Sequence, residues 1–160
     1  MSNPILTLKQ YIEDHKDDCG GDWEYEHTPH IQYTLEQLNK NQTIEFCDSM
    51  LKWSEYHLYE LADPILFCSN IFMDSFNLYL RIFSKLSNIE NLEYLAQNIG
   101  LSLQIETLDK LELKDLEMFL KNMQRVSDFI KLESYGNQYK GIEDTIKLVI
   151  NNKTANNGYN

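Results

Sequence analysis

From Ile5 to Ile150 the apolar residues of this chain recur at intervals of three and four, the period of one helix face. Only two valines occur in 160 residues, and no pair of alternating segments is joined by the Asn-Gly or Asp-Gly turn of a hairpin. The chain is therefore expected to be all-α. Its connections are short, so about eight helices should pack as an irregular bundle or as stacked antiparallel pairs. The length predicts about one domain, read here as a single helical domain over 1–150 with a disordered tail over 151–160.

Caps and breakers divide the pattern. Asn3-Pro4 sets a capping side chain before a proline at the first helical position, and Ile5, Leu8 and Ile12 carry a helix to about Lys16. Gly20-Gly21 ends it. The stretch Asp22-Trp23-Glu24-Tyr25-Glu26-His27 alternates acids with aromatics and reads as a loop or a short extended piece. Thr28-Pro29 repeats the cap-and-proline signal ahead of Ile31, Leu35 and Leu38. A longer helix from Asn41 or Thr43 carries Ile44, Cys47, Leu51, Leu58 and Leu61, until Asp63-Pro64 breaks it. Residues 65–72 are apolar nearly all round and predict a central, buried helix.

Beyond it, Asp74 caps a helix carrying Phe76, Tyr79, Leu80, Phe83 and Leu86. Ser87-Asn88-Ile89-Glu90 has the capping-box pattern, and Gly100 closes the helix it opens. Leu101, Leu103 and Ile105 form a connector. Residues 111–132 make the clearest amphipathic helix, Gly136 punctuates the chain, and Ile142, Ile146, Val149 and Ile150 define the last helix.

Charge separates the two halves. The net charge is −11, with fourteen acids and five bases in residues 1–84 and eleven acids and nine bases after them. Phosphate contacts need clustered Lys and Arg, so neither a nucleic acid nor an anionic membrane surface is expected as a partner. Within the most apolar stretch, residues 61–86, the longest charge-free run is 64–73, far short of the ~20 that a membrane helix needs. The start lacks a basic region followed by an apolar run. Cys19, Cys47 and Cys68 are odd in number and widely spaced. Reduced thiols and a cytoplasmic location are the expectation.

No residue pattern names a reaction, and a non-enzyme without cofactor is expected. Cys19, His27 and His30 lie in one acidic segment, but His27-x-x-His30 with a lone cysteine is one ligand short of a zinc set. No metal site is read here. No Gly-x-Ser-x-Gly elbow or glycine-rich phosphate loop is present. His57, between Tyr56 and Leu58, reads as a structural histidine.

What remains is a surface for another protein. Asp22, Trp23, Glu24, Tyr25, Glu26, Glu55, Tyr56 and Glu60 interleave aromatics with acids, the mixture that supplies rigid contact area and electrostatic complementarity to a basic partner. Trp53 and Tyr59 read as core, while Trp23 and Tyr25 are open to either role.

The stretch Trp53-Ser54-Glu55-Tyr56-His57-Leu58-Tyr59-Glu60-Leu61-Ala62-Asp63-Pro64, running on to Leu92, Leu95 and Ile99-Gly100, resembles the helical immunity proteins that bacteria pair with secreted polymorphic toxins. The resemblance covers about a third of the chain as a pattern of aromatics, leucines and one proline. It implies a protein that binds one toxin, often a nuclease with a basic cleft, and blocks it. The alternative is a helical scaffold or adaptor whose charge serves solubility.

Overall fold

Asparagine and serine open several of the helices. In the computed structural model, which describes residues 3–100, 103–131 and 138–157, Asn3 Oδ1 accepts the Ile5 N–H and Pro4 begins α1, Pro4–Asp14. After a three-residue turn α2, Gly20–Asp22, a π-helical turn Trp23–His27 leads into α3, Thr28–Glu36. Asn39 and Gln42 form a reciprocal capping box on α4, Lys40–Met50. Ser54 caps α5, Glu55–Leu66. Asp74 Oδ1 accepts the Asn77 N–H at the start of α6, Ser75–Lys85. Asn88, one residue beyond the expected Ser87, caps α7, Ile89–Ile99. The short α8, Ile105–Asp109, precedes α9, Leu113–Lys131, and α10, Lys140–Asn157. Among the described residues there is no strand, and the all-α expectation holds.

Where the length predicts one domain, the chain divides into two compact units, Met1–Ile82 and Phe83–Asn160, with the division inside α6. In the first, α5 packs on α3 and α1, and α1 also meets α4. Its core holds Ile12, Ile31, Leu35, Phe46, Leu61 and Ile65, all fully buried. In the second, α9 lies against α7 and α10, and α8 against α10. Leu116, Phe119, Met123 and Val126 are its buried stripe. Each such side chain contributes about 1.5–3 kcal/mol of burial.

Four expectations are corrected. The longer helix predicted from residue 41 or 43 is two helices, because Ser54 caps a new one. Its stripe is turned as well: Thr43, Phe46 and Met50 are buried and Ile44 is 50% exposed. Pro64 does not end α5 but lies buried in its last turn.

The second correction concerns residues 65–72, which are not a central helix. Ile65 is buried at the end of α5, whereas Phe67, Ile71 and Phe72 are 60%, 87% and 48% exposed. Polar clamps hold this segment to the end of α3. Asn70 Nδ2 donates to the Leu35 and Leu38 carbonyls at 2.9 and 3.0 Å. Ser69 donates from N–H and hydroxyl to Glu36, and Gln32 donates to the Phe67 carbonyl. These bonds engage the backbone of the segment and the end of α3, so apolar composition does not decide the outcome.

The third correction is Asp22–His27, which is helical rather than a loop. Trp23 and His27 stand four apart on one face and are both buried, 8% and 4% exposed. Trp23 O accepts from the Thr28 N–H, the i→i+5 bond of a π-turn, directly before Pro29. The fourth is the tail, which is helical as far as Asn157: Lys153 Nζ reaches the Asp109 carbonyl at 2.6 Å. The expected punctuation at Gly136 and the connector residue Leu101 lie outside the described residues.

Candidate functional site

The end of α1, the π-turn and the start of α5 bring the two acidic-aromatic clusters of the sequence together. Trp23 meets Tyr56 edge to face at 6.3 Å between ring centres, and His27 at 5.0 Å. Because the π-turn sends Trp23 inward, its indole is core. Tyr25, between Glu24 and Glu26, points out and is 76% exposed, and Asp22, Glu24 and Glu26 are exposed around it. Glu55, Tyr56 and Glu60 are half-buried on α5.

The acids act on one another. Burial and the Asp63 carboxylate push the Glu60 carboxyl up to about 7. Tyr56 is raised far above the ordinary phenol range by burial and by Glu60, Glu13, Asp17 and Asp18. Its buried hydroxyl finds no hydrogen-bond partner among the described residues. A phenol in such a field stays neutral.

His57 is buried beside Tyr56. Ser54 Oγ lies 2.5 Å from its Nδ1, and Glu13 Oε2 lies 3.4 Å from its Nε2 without making a hydrogen bond. Burial lowers the His57 pKa, which keeps the ring neutral at pH 7. The same serine oxygen accepts the His57 N–H as the α5 cap, so Ser54 holds both the start of the helix and the His57 ring. Cys47 is likewise held protonated: burial raises its thiol to about 11. The three cysteines are free, and Cys19 turns its thiol to Asp22 at 3.1 Å.

Sequence reasoning missed the tightest polar cluster. It weighed Cys19, His27 and His30, but His27 gathers Tyr11, His15 and Asp18. His27 Nε2 lies 2.9 Å from Asp18 Oδ2 and Nδ1 lies 2.7 Å from the Tyr11 hydroxyl. The His15 ring centre is 4.4 Å from that of His27, and His15 Nδ1 is 2.8 Å from the Tyr11 carbonyl. His30 lies against Tyr11 with the ring centres 4.3 Å apart and the planes tilted by 33°. The spacing His15-x-x-Asp18 was visible in the sequence, but joining it to His27 requires the chain to reverse through Gly20-Gly21.

Compared with protein-family models, with curated proteins and with solved structures, the chain matches none. Among the described residues no helix is long and apolar enough to cross a membrane.

Proposed function

We propose that this chain is a stoichiometric binder and inhibitor of a basic protein, of the kind that neutralises a bacterial toxin, working in the cytoplasm. The observation that carries the reading is one of placement. Met1–Ile82 holds fourteen acids against five bases and also exposes Tyr25, Phe67 and Ile71. A field of that sign steers a basic partner, and exposed aromatic and aliphatic side chains give it apolar area to bury. Glu24, Glu26 and Asp22 are the steering charges around Tyr25; Glu55, Tyr56 and Glu60 are less exposed and contribute to the rim.

The test starts from the reading frame beside this one, expressed with and without this chain. Relief of its toxicity, with formation of a 1:1 complex, supports the proposal. Association should slow as salt is raised, and reversal of Asp22, Glu24 and Glu26 to lysine should slow it more than three reversals in Leu113–Lys131. Tyr25→Ala should chiefly speed dissociation, by about 2 kcal/mol. An acidic partner, or kinetics indifferent to salt and to these charges, would overturn it in favour of a scaffold role.

A further inference from the structure

We propose that His15, Asp18 and His27 form a binding site for one divalent transition-metal ion of the zinc type. One ligand atom from each lies within 4.8 Å of the others, across a half-buried, an exposed and a buried residue. Two imidazoles and one carboxylate are a borderline-soft nitrogen and oxygen set, which suits zinc and its neighbours. Calcium and magnesium take oxygen-rich shells and fit it poorly. Three protein ligands leave further positions open, and Asp18, with 41% of its side chain accessible, opens the site to solvent. The inference stands apart from the reading of a basic protein partner.

Tyr11 orients both rings, the role that outer groups play around a metal. Its carbonyl can only accept, so His15 Nδ1 holds the proton and Nε2 presents a lone pair. Its hydroxyl, 2.7 Å from His27 Nδ1, can either donate or accept. Without an ion, His27 donates from Nε2 to the Asp18 carboxylate and accepts at Nδ1 from the hydroxyl. With an ion, the ring proton sits on Nδ1, and the turned hydroxyl accepts the Nδ1–H hydrogen bond on its oxygen. Nε2 and Asp18 Oδ2 then both face the metal.

The spacing fits this exchange. Neighbouring ligands at ~2.1 Å from one tetrahedral ion stand ~3.4 Å apart, and His27 Nε2 and Asp18 Oδ2, 2.9 Å apart, need only a small opening to reach that. The set as a whole spans up to 4.8 Å and has to draw in to hold one ion. Asp17 and Glu26 lie close in the chain to Asp18 and His27, and the Glu26 charge acts on Tyr11. That field favours a dication. An ion here would tie the end of α1 to the π-turn.

Chelator-washed full-length protein titrated with Zn2+ alone, by competition with a chromophoric chelator, tests the site. One equivalent should bind with micromolar affinity or better and raise the melting temperature, and Co2+ should give a visible d–d spectrum. His27 is buried, so the informative variants are the more accessible His15→Ala and Asp18→Asn. Each should weaken Zn2+ by about 10- to 100-fold while keeping the helical circular dichroism. His30→Ala and Cys19→Ser should leave affinity unchanged. Absence of one-to-one binding, unchanged affinity in His15→Ala and Asp18→Asn, or equal competition by Ca2+ would overturn the proposal. So would loss of binding through His30→Ala or Cys19→Ser.

Discussion

In the unit Met1–Ile82 the end of α3 is closed by Asn70, which lies in irregular chain; in the unit Phe83–Asn160 the end of α6 is closed by Asn122, in the middle of a helix. Both turn a buried amide onto carbonyls at a helix end, where the regular i→i+4 donors run out. Asn122 Nδ2 donates to Phe83 and Leu86 at 2.8 and 3.1 Å, and Arg125 completes the clamp by donating to Asn122 Oδ1 and to the Ser87 carbonyl. Asn70 instead receives the Phe72 N–H on its Oδ1 and shares its amide with Thr43. The second clamp joins regular helices, while the first fixes chain that would otherwise have no period to follow. That same unit carries the π-turn, the histidine cluster and most of the net charge. Departures from local rules thus collect where polar groups need fixed positions.

The largest expected effects are on the clamps themselves. Asn70→Ala and Asn122→Ala should each destabilise by about 1–3 kcal/mol, since each removes two buried hydrogen bonds to helix-end carbonyls. Urea unfolding measures this. The units should differ in how they fail. Asn70→Ala should speed amide exchange and proteolysis within 67–74 before global unfolding, whereas Asn122→Ala should loosen only through the global transition. An Asn70→Ala loss below ~0.5 kcal/mol would break the parallel.

The same difference decides what was legible in the sequence. In Phe83–Asn160 the period suffices: Leu116, Met123 and Ile130 are buried where the stripe of three and four puts them, though Phe119 is buried and Leu120 only partly so. In Met1–Ile82 the period misleads twice. Ile44 matches the apolar spacing but Thr43 is buried, because its hydroxyl donates to Asn39 O at 2.9 Å and meets the Asn70 amide. Phe67, Ile71 and Phe72 look like core and lie outside, because long-range bonds from Gln32, Glu36 and Asn70 fix their backbone. Bonds between residues more than thirty apart leave no local pattern. The site was half legible for a similar reason. Acids and aromatics mark the region, but only the turn of the chain decides that Trp23 is core and that His15 meets His27.

A middle-sized effect concerns pH and belongs to the first unit. Glu60 is raised to about 7, so the folded state holds its proton more firmly than the unfolded chain does. Its contribution is present at low pH and is lost as pH rises through about 7. A shift of that size in a dry site corresponds to about 3 kcal/mol. Glu60 is partly open to solvent, so about 1 kcal/mol is expected. His57, lowered by burial, tilts stability the other way on the acid side of the ordinary histidine range. The difference between the protein and Glu60→Gln separates the two. Glu60→Gln should gain on the wild type by about 1 kcal/mol between pH 5 and pH 8. An equal difference at both pH values would remove Glu60 from the account.

The smallest effect on stability is expected at the most exposed apolar residue. Ile71 is 87% exposed, and its segment is held by the polar clamps of Asn70, Ser69 and Gln32 rather than by its own side chain. Ile71→Ser should therefore change unfolding free energy by less than ~0.5 kcal/mol. It should instead weaken affinity for a partner, because an isolated apolar side chain gains only when another surface covers it. Once a partner is in hand, Ile71→Ser should speed dissociation and leave the salt-dependent association rate set by Asp22, Glu24 and Glu26 unchanged. A stability loss above ~1 kcal/mol would mean that the segment is packed through Ile71. The contrast between clamped open chain in one unit and helix-borne packing in the other would then fall.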